Sequence, residues 1–412
     1  MNILLINHYA GSPEMGMEYR PYYLAREWTR LGHKVTIVAA SYAHLRSKNP
    51  QVNEPLCEKI TEKLRYVFIK TPHYTENDHK RYKNIYRFLK GLNHNVTELA
   101  EHYKPDIVIA SSTYPLDIYP AKKIAAAAGA RLVYEVHDIH PDSCIELYDY
   151  SPYHPIMLAL GRAAKYAYKN ADIVISVLPR VDLHMKKLGF SDEKFVFIPN
   201  GIEPAEKPQK QPQRHIDLIE RYREKGNFIV MYLGGFAPAN ALDELIESAK
   251  KAPKDVLYLL VGNGVHKTPL KRYARQNGLN NILYLDTVEK TQVSSILALA
   301  DCLYIGALPL KVYKYGVGMN KMYDYMYSAR PVICAMDVPE NPIEKAKCGI
   351  IVQENTGEEI AEAIEKLREM TPKERSEMGA RGRKYVEEHN MYSVLAQKFL
   401  NAVVKDNTPK NM

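Results

Sequence analysis

The chain has 412 residues, of which 46% are hydrophobic and 25% charged, and its formal net charge is +8. The length exceeds one core of ordinary size and predicts two domains of roughly 200 residues each, while the composition is that of an ordinary globular protein. The cysteines lack CxxC spacing, which argues against a zinc site or a disulfide framework and favours a reducing cytoplasm. They are Cys57, Cys144, Cys302, Cys334 and Cys348.

The first residues run straight into the apolar stretch "NILLINHY", without a charged segment or a long apolar run. We therefore expect no signal peptide. No stretch approaches the ~18 apolar residues that a membrane-spanning helix needs. The sequence predicts a cytoplasmic protein that is soluble or peripheral to the inner face of the membrane.

Short β-branched runs alternate with helical stretches from the start of the chain. In order they are "NILLI", "VTIVA", "RYVFI", "DIVIA", "RLVYE", "DIVIS" and "FVFI", which reach residue 198. Alternation of strands and helices predicts a parallel sheet covered on both faces. We predict an N-terminal Rossmann-like domain over residues 1–200.

One segment of this domain, "HKRYKNIYRFLKGLNH", concentrates positive charge among aromatic residues and contains no acid. This composition is typical of a helix that lies on an anionic membrane face. A solvated basic helix whose aromatic residues pack in the core explains it equally well. Nucleic-acid binding is less supported, because no recognition motif accompanies the charge.

A proline-rich polar stretch after residue 200 predicts a linker over residues 201–226. A second series of strands follows: "FIVMYLG", "VLYLLVG", "NILYLD", "DCLYIG", "RPVICA" and "GIIV". It predicts a second Rossmann-like domain over residues 227–385. Residues 386–404 are expected to form a C-terminal helix that packs back towards the N-terminal domain. Open sheets of this kind bind ligands at the carboxyl ends of their strands, here in a cleft between the domains.

Familiar nucleotide motifs are missing from this framework. Gly11 and Gly16, which follow the first strand, are spaced wrongly for a dinucleotide fingerprint, and the second strand ends in a basic segment. The chain contains no Walker loop and no DxD pair that would hold a divalent ion on a diphosphate. We expect no cofactor and no metal.

Glycine-rich turns between strands and helices offer another way to bind phosphate, through backbone N–H groups. Each turn alone is weak evidence, because glycine in such a turn often serves only the backbone geometry. The candidate phosphate-binding glycines are Gly16, Gly234, Gly235, Gly262, Gly316 and Gly318.

The stretch "VGMNKMYDYMYSARPVI" predicts a helix with a buried apolar side and a polar start formed by Asn320, Lys321 and Asp324. With the preceding residues it resembles the signature region of family-four glycosyltransferases, in which a Glu-x7-Glu motif precedes a small residue, proline and a strand. Asp324 takes the place of the second glutamate, and Gly316 stands where the first would be. The "NKxxDYM" core resembles a bacterial subgroup of fucosaminyltransferase-like enzymes that assemble surface polysaccharides, as do "EYRPYYLAREW", "VYEVHDIHPDSCIELY" and "FVFIPNGIE".

The resemblance implies the α/β GT-B fold, two Rossmann-like domains facing across a cleft, and a donor site in the second domain. It implies that Asp324 holds the ribose of the nucleotide, although an acid near a helix start is also favourable without a ligand. Lys321 would stabilise the departing diphosphate; the alternative is an ion pair with Asp324. The family's Arg and Lys pair is absent from "GGFAPANALDE". Asn320 is expected to cap the helix and to help bind the donor.

In the first domain, the resemblance places the loop "EVHDIHPD" against the transferred sugar. His137 and Asp138 would contact sugar hydroxyls or developing charge as catalytic residues, and His140 would lie on the acceptor side. A purely structural network is the alternative, and a metal site lacks a fourth ligand. Glu18 and Arg20 would position the acceptor, or form a salt bridge on the first helix.

Together these features predict a metal-independent, retaining glycosyltransferase that moves a hexose or N-acetylhexosamine from a UDP-sugar. The acceptor would be a saccharide linked to a lipid diphosphate at the inner membrane face. Two alternatives stay open: an enzyme like UDP-N-acetylglucosamine 2-epimerase, which shares the architecture but needs no acceptor, and a scaffold subunit without catalytic activity. Gly316 and the missing Arg and Lys pair motivate the second.

Overall fold

A computed structural model describes residues 1–61, 64–75, 79–205, 209 and 212–404. The chain divides into two compact units. Unit 1 comprises Met1–Asn200, Tyr315–Gly318 and the described residues from Tyr392 onward, and unit 2 comprises Gly201–Lys314 and Met319–Met391. Each unit is an α/β sandwich around its own sheet.

The sheet of unit 1 has the strand order β3-β4-β2-β1-β5-β6-β7-β8, with only β3 antiparallel among the described strands. The strands are β1 (Asn2–Ile6), β2 (Lys34–Ala40), β3 (Leu56–Thr61), β4 (Leu64–Ile69), β5 (Ile107–Ala110), β6 (Arg131–Val136), β7 (Ile173–Ser176) and β8 (Phe195–Phe197). The central strands are buried along almost their whole length, which explains why their sequences are continuous apolar runs.

Seven helices of unit 1 lie before residue 200 in the described chain. They are α1 (Arg20–Arg30), α2 (His79–His94), α3 (Val96–Tyr103), α4 (Ile118–Ala128), α5 (Asp142–Tyr148), α6 (Pro155–Asn170) and α7 (Val181–Lys187), with a 3-10 turn at Pro115–Asp117. They connect parallel strands, so the loops after β1, β5 and β6 meet at one edge of the sheet.

The sheet of unit 2 is parallel throughout its described strands, in the order β11-β10-β9-β12-β13-β14. The strands are β9 (Phe228–Leu233), β10 (Val256–Val261), β11 (Ile282–Leu285), β12 (Cys302–Gly306), β13 (Val332–Ala335) and β14 (Gly349–Val352). The two sheets confirm the prediction of an α/β protein with two Rossmann-like domains.

The helices of unit 2 are α8 (Gln213–Glu224), α9 (Leu242–Ser248), α10 (Lys267–Gln276), α11 (Val293–Leu297), α12 (Asn320–Tyr327), α13 (Pro342–Ala346), α14 (Gly357–Glu369) and α15 (Pro372–His389). Three 3-10 turns, Pro238–Asn240, Lys290–Gln292 and Lys311–Tyr315, interrupt the loops.

The segment for which composition predicts a linker is partly helical. Helix α8 occupies residues 213–224, buries His215 and Ile219, and belongs to unit 2. Residues 206–208 and 210–211 of the same segment lie outside the described residues. His215 and Ile219 lie four residues apart and so share one buried face of the helix, although most residues of the segment are polar.

The last described helix, α16 (Tyr392–Val404), belongs to unit 1 and packs on α1. Trp28 is fully buried in this contact. Its indole N–H donates to the Ala396 carbonyl at 3.1 Å, and its ring lies 5.0 Å from that of Phe399. The helical region predicted from residue 386 onward is therefore two helices, because α15 ends at His389 and the Asn390 carbonyl accepts from the Ile202 N–H at 2.9 Å.

Candidate active site

The polar start of α12 is held in place by the buried apolar side of the same helix. Met322, Tyr325 and Met326 are buried. The Tyr325 hydroxyl accepts from the Leu233 N–H at 2.7 Å and donates to the Leu233 carbonyl at 2.9 Å, which ties the helix to the end of β9. The helix begins at Asn320, and Met319 is at the N-cap without a side-chain cap. The expected capping role of Asn320 is therefore wrong.

Lys321 lies within a closed set of polar contacts at the end of β9. Its Nζ donates to the Tyr232 hydroxyl at 3.2 Å and to Asn240 Oδ1, and it lies 4.9 Å from the centre of the Tyr232 ring. The Gly235 carbonyl in turn accepts from the Tyr232 hydroxyl at 2.6 Å and from Asn240 Nδ2 at 2.8 Å. The ammonium is thus held by neutral groups.

The ion pair between Lys321 and Asp324, which was the alternative to a diphosphate contact, does not form. Among the described residues, no carboxylate lies within ion-pair distance of Lys321. Burial lowers the pKa of Lys321 to about 8, because the charged form loses water without gaining a counter-ion. A partly buried cation held by neutral groups favours an anionic ligand.

The glycines after β9 and β10 allow two backbones to approach each other beside Lys321. A Cβ on Gly262 would lie 2.0 Å from the Gly234 carbonyl oxygen, and one on Gly264 would lie 2.4 Å from that of Phe236. A Cβ on Gly234 would come within 3.6 Å of Lys321 Nζ, whereas Gly235 faces open space. The structure therefore brings Gly234, Gly235 and Gly262 together around Lys321.

Asp324 points to a different cation, Lys290. The Lys290 ammonium reaches both carboxylate oxygens, at 2.6 and 2.7 Å, from the turn that follows β11. The Asp324 side chain is 17% exposed, so its carboxylate stays accessible. The pair joins the β11 loop to the start of α12.

Gly316 and Gly318 belong to unit 1, whereas the glycines around Lys321 belong to unit 2. Gly316 has a φ of +101°, and a Cβ there would lie 2.2 Å from Cδ of Pro179. The Gly318 carbonyl accepts from Asn200 Nδ2 at 2.8 Å. The missing acid at position 316 thus has a steric cause, and these contacts do not support a phosphate-binding role for either glycine.

The remaining predicted donor glycine, Gly16, also lies in unit 1. It has a φ of +95° and forms bridges to Ser12 and Arg46 in the loop after β1. A Cβ at this position would lie 2.9 Å from the Ser47 backbone nitrogen. Gly16 is required by the turn itself, and nothing in its contacts points to a phosphate.

The loop after β6 carries the predicted catalytic residues of unit 1. His137 Nε2 lies 3.2 Å from Ser111 Oγ and 3.5 Å from Glu135 Oε2. Asp138 is exposed, and the half-buried His140 directs Nδ1 towards the Asp138 carbonyl at 3.4 Å. Burial lowers the pKa of His140.

Arg20 does not have the position expected of an acceptor contact. Its side chain is 1% exposed, and its Nε and one terminal nitrogen donate to Glu135 Oε1 at 3.0 and 2.9 Å. The guanidinium also donates to the carbonyls of Ile198 and Pro199 at 3.1 and 2.6 Å. The salt bridge of Arg20 therefore joins α1 to β6 and is not on the first helix, as the alternative predicted.

Glu18 lies at the end of the loop that precedes α1. Its backbone N–H donates to the Tyr9 carbonyl at 3.2 Å, and its carbonyl accepts from Gly11 at 2.8 Å. Burial raises the pKa of the half-buried carboxyl, although nearby His137 and Arg20 oppose this effect. The Glu18 carboxyl therefore lies near His137 and Arg20, at the edge of the sheet where the loops after β1 and β6 meet.

Within the described ranges, no group of three or more His, Cys, Asp or Glu residues has the geometry to hold a metal ion. None of the described helices has the length and apolar character needed to cross a bilayer.

The two-unit fold agrees with comparisons against known proteins. The model described as Glycosyltransferase Family 4 matches residues 15–206, and the one described as Glycosyl transferases group 1 matches residues 216–385. The protein is a glycosyltransferase of the GT-B fold.

Among individual relatives, the chain is 23% identical to an Escherichia coli (strain K12) candidate glycosyl transferase of colanic acid biosynthesis, WcaI. The match covers 48% of this chain and 50% of that protein, so the chain spans about half the length of the curated relative it matches.

Solved structures share the fold over nearly the full length. Anabaena HepE in complex with UDP and glucose has a TM-score of 0.66 at 15% identity, covering 97% and 98% of the two chains. Sucrose-phosphate synthase from Thermosynechococcus elongatus has a TM-score of 0.70 at 16% identity, covering 97% of each. WaaG, from lipopolysaccharide biosynthesis, has a TM-score of 0.65 at 17% identity, covering 98% and 99%.

Several residues of these sites carried no signal in the sequence. Tyr232 looks like an ordinary strand residue, Asn240 like a turn residue, and Lys290 like a surface lysine. Each lies far along the chain from its partner on α12, so only the folded sheet brings them together. Glu135 was visible as a charge inside an apolar strand, which is a signal that a buried partner exists.

Proposed function

We propose that the protein is a metal-independent, retaining glycosyltransferase that transfers a hexose or N-acetylhexosamine from a UDP-sugar to a lipid-linked saccharide. The observation that carries this proposal is the partly buried Lys321 ammonium, which has only neutral partners among the described residues. In this proposal the protein belongs to the fucosaminyltransferase-like subgroup and acts in the biosynthesis of bacterial surface polysaccharide. UDP is the favoured nucleotide because HepE was solved with UDP and glucose.

In this proposal Lys321 binds the diphosphate of the donor. A charge-assisted hydrogen bond to phosphate replaces the bond to neutral Asn240, and it strengthens as negative charge grows on the leaving group. The glycines after β9 and β10 let the phosphates come close to the backbone. Asp324 accepts hydrogen bonds from the ribose hydroxyls while Lys290 holds its carboxylate in place.

Transfer with retention requires leaving-group stabilisation and alignment more than a strong protein base. The acceptor hydroxyl attacks the face from which the nucleotide departs, and the departing phosphate takes its proton. Lys321 supplies the stabilisation, and His137 and Asp138 orient the sugar. Glu18 and His140 face the acceptor in this arrangement.

Calorimetric titration with UDP and UDP-sugars tests the donor site. Lys321→Met should weaken UDP binding by roughly 10- to 100-fold, because a charge-assisted hydrogen bond contributes about 1.5–3 kcal/mol. Asp324→Asn should weaken UDP but not inorganic diphosphate, which lacks the ribose. Lys250→Met is the control, since that lysine pairs with Glu247 at the surface. Equal UDP affinity in Lys321→Met and the unaltered protein would contradict the site.

Turnover distinguishes the two other functions. An epimerase consumes a nucleotide sugar without an acceptor, so donor loss that depends on added acceptor rules it out. A scaffold subunit binds no nucleotide sugar and is indifferent to changes at Lys321 and Asp324.

Helix α2 supports the membrane part of the proposal. Its inner side is buried through Asn84, Phe88 and Leu92, so part of its apolar content belongs to the core. Lys83, Arg87 and Lys90 are exposed on the other side, and Tyr82 and Tyr86 beside them are 41% and 61% exposed. A row of cations with exposed tyrosines suits the headgroup region of an anionic bilayer.

Sedimentation with vesicles containing phosphatidylglycerol tests this surface. Lys83→Glu, Arg87→Glu and Lys90→Glu together should weaken binding by at least about 100-fold, because each cation near an anionic surface contributes about 1 kcal/mol. The matched control reverses Lys366, Lys373 and Lys384 on α14 and α15. Unchanged sedimentation of the α2 variant would contradict membrane contact through this helix.

A further inference from the structure

A buried polar network lies beneath His137, and its hydrogen bonds have a definite direction. The Ser111 hydroxyl donates to Glu135 Oε2 at 2.6 Å, which uses its single proton. Ser111 Oγ can then only accept from His137 Nε2, 3.2 Å away. Glu135 Oε2, at 3.5 Å from the same nitrogen, is also an acceptor. Nε2 therefore carries a proton.

The two oxygens of Glu135 have separate partners. Oε1 accepts from the Arg20 guanidinium, whereas Oε2 faces Ser111 and His137. Both Glu135 and Arg20 are 1% exposed, so the carboxylate cannot turn towards water. The network fixes the imidazole ring from one side. No partner of His137 Nδ1 is found in the described part of the chain, and the side chain is 11% exposed.

Charged groups on several elements surround the ring. Arg20 on α1 and the titratable His140 lie nearby, and the carboxyls are Glu18 before α1, Glu135 on β6, Asp117 in the turn after β5, and Asp138. Burial raises the pKa of Asp117 to about 6 and also raises that of Glu18, so these carboxyls favour the neutral form more than usual. Burial also opposes charge on Glu135, but Arg20, His137 and Ser111 outweigh it and lower its pKa.

The same balance acts on His137. Burial disfavours the imidazolium, but the hydrogen bond and the charge of Glu135 outweigh burial, so the pKa of His137 is raised. His140 is three residues further on, where the charge and the carbonyl of Asp138 favour its cation but burial outweighs them, so its pKa is lowered. The buried carboxylate of Glu135 raises the pKa of His137 and is not among the groups that act on His140.

We propose that Glu135 and Ser111 are positioning residues: they keep the proton on Nε2 of His137 and hold the ring as an imidazolium, whose Nδ1–H donates to the reacting sugar. The role of Nδ1 rests on the proposed glycosyl transfer, whereas the protonation of the ring does not. A cationic donor stabilises negative charge that develops on a sugar hydroxyl or phosphate oxygen. His137 is then unsuited to act as a base.

Titration of the histidine side chains by nitrogen-15 NMR tests the network without any substrate. His137→Gln assigns the signal. In the unaltered protein His137 should titrate above the usual value of about 6.5 and keep its proton on Nε2. Glu135→Gln should move the midpoint below that value. Ser111→Ala should move it in the same direction by less, and Ser176→Ala, a buried serine at the end of β7, should leave it unchanged.

Glu135→Gln leaves Arg20 buried without a counter-charge, so this variant can fail to fold. Ser111→Ala retains both charges and then decides the outcome. A midpoint that is unchanged in the folded variants, or that lies below 6.5 in the unaltered protein, overturns the proposal.

The pH dependence of turnover tests the role of Nδ1. In Ser111→Ala the loss of kcat at high pH should begin at lower pH, because the imidazolium loses its proton earlier. A moved NMR midpoint with an unmoved pH profile overturns the catalytic part of the proposal. If no nucleotide sugar binds at all, the proposed glycosyl transfer fails, while the NMR result on Glu135 and Ser111 still stands.

Discussion

At the scale of single residues, the polar front of α12 was predictable and its surroundings were not. The spacing of Asn320, Lys321 and Asp324 indicates one helix face, and the buried residues behind it follow from the same periodicity. The partners of that face come from β9, its following turn and the β11 loop. Such partners depend on which strands are neighbours, and local sequence does not contain that information.

The partly buried ammonium of Lys321 should make the proposed nucleotide binding dependent on pH. Its pKa of about 8 means that the free protein loses this charge as pH rises through 8. A bound diphosphate favours the charged form and raises the pKa, so UDP affinity should fall from pH 7.5 to pH 9.5, by at most tenfold per pH unit. Calorimetry at a series of pH values measures this. Arginine stays charged over this range, so Lys321→Arg should remove the pH dependence of UDP affinity. An equally steep fall of UDP affinity in that variant would contradict the role of Lys321.

At position 316 the residue type is restricted by the backbone conformation and by the contact with Pro179. Restoring the family's acid with Gly316→Glu should destabilise unit 1 rather than improve donor binding, because the new Cβ would meet Pro179 at 2.2 Å. Strain at a φ of +101° adds about 1–3 kcal/mol to the cost of overpacking.

Urea unfolding followed by the fluorescence of Trp28, the single tryptophan, measures this effect. Gly189→Ala is the matched control, since Gly189 has a φ of +81° but no atom near its Cβ position. The control should lower the midpoint through strain alone, and Gly316→Glu should lower it further. An unchanged midpoint for Gly316→Glu would show that the loop adjusts freely.

At the scale of elements, buried strands were easier to predict than exposed ones. The central strands appear as apolar runs because both faces are covered. Strand β3, "LCEKIT", was not predicted, since it lies at the edge of its sheet, pairs antiparallel with β4 and alternates polar residues with apolar ones. Helix α8 was missed for a related reason, because its two buried residues are outnumbered by charged ones.

The packing of α16 on α1 should contribute strongly to the stability of unit 1. Phe399→Ala removes the ring beside Trp28 and should cost about 3–5 kcal/mol. Urea unfolding monitored by Trp28 fluorescence should show an earlier transition. Phe197→Ala is the control, because that ring is 38% exposed on β8 and should cost much less. Similar midpoints for the two variants would mean that the contact between these helices is loose.

At the scale of the whole molecule, the two-domain organisation follows from length and from the repeated alternation of strands and helices. The assignment of short segments to units does not follow. Residues 315–318 belong with unit 1 although unit 2 surrounds them in the sequence, and α16 belongs with unit 1 although α15 belongs with unit 2. These assignments depend on distant contacts such as those of Pro179 and Trp28.

A fragment comprising residues 1–200 should therefore not behave as a soluble domain. Without α16 it exposes apolar residues that α16 covers, including Tyr23 and Trp28. We expect it to aggregate on expression, as judged by gel filtration. A fragment with residues 390–404 joined through a flexible linker should elute as a monomer. A monodisperse fragment 1–200 with a blue-shifted tryptophan spectrum would contradict this.

The chain crosses between its units four times, after residues 200, 314, 318 and 391. This connectivity limits how such an enzyme exchanges parts with its relatives. A single recombination event near residue 200 would import a foreign α16 and a foreign Tyr315–Gly318 together with the donor half. Both would then have to fit a unit 1 with which they had not evolved. Functional chimeras with a new donor specificity should retain the original α16 and the original four-residue segment.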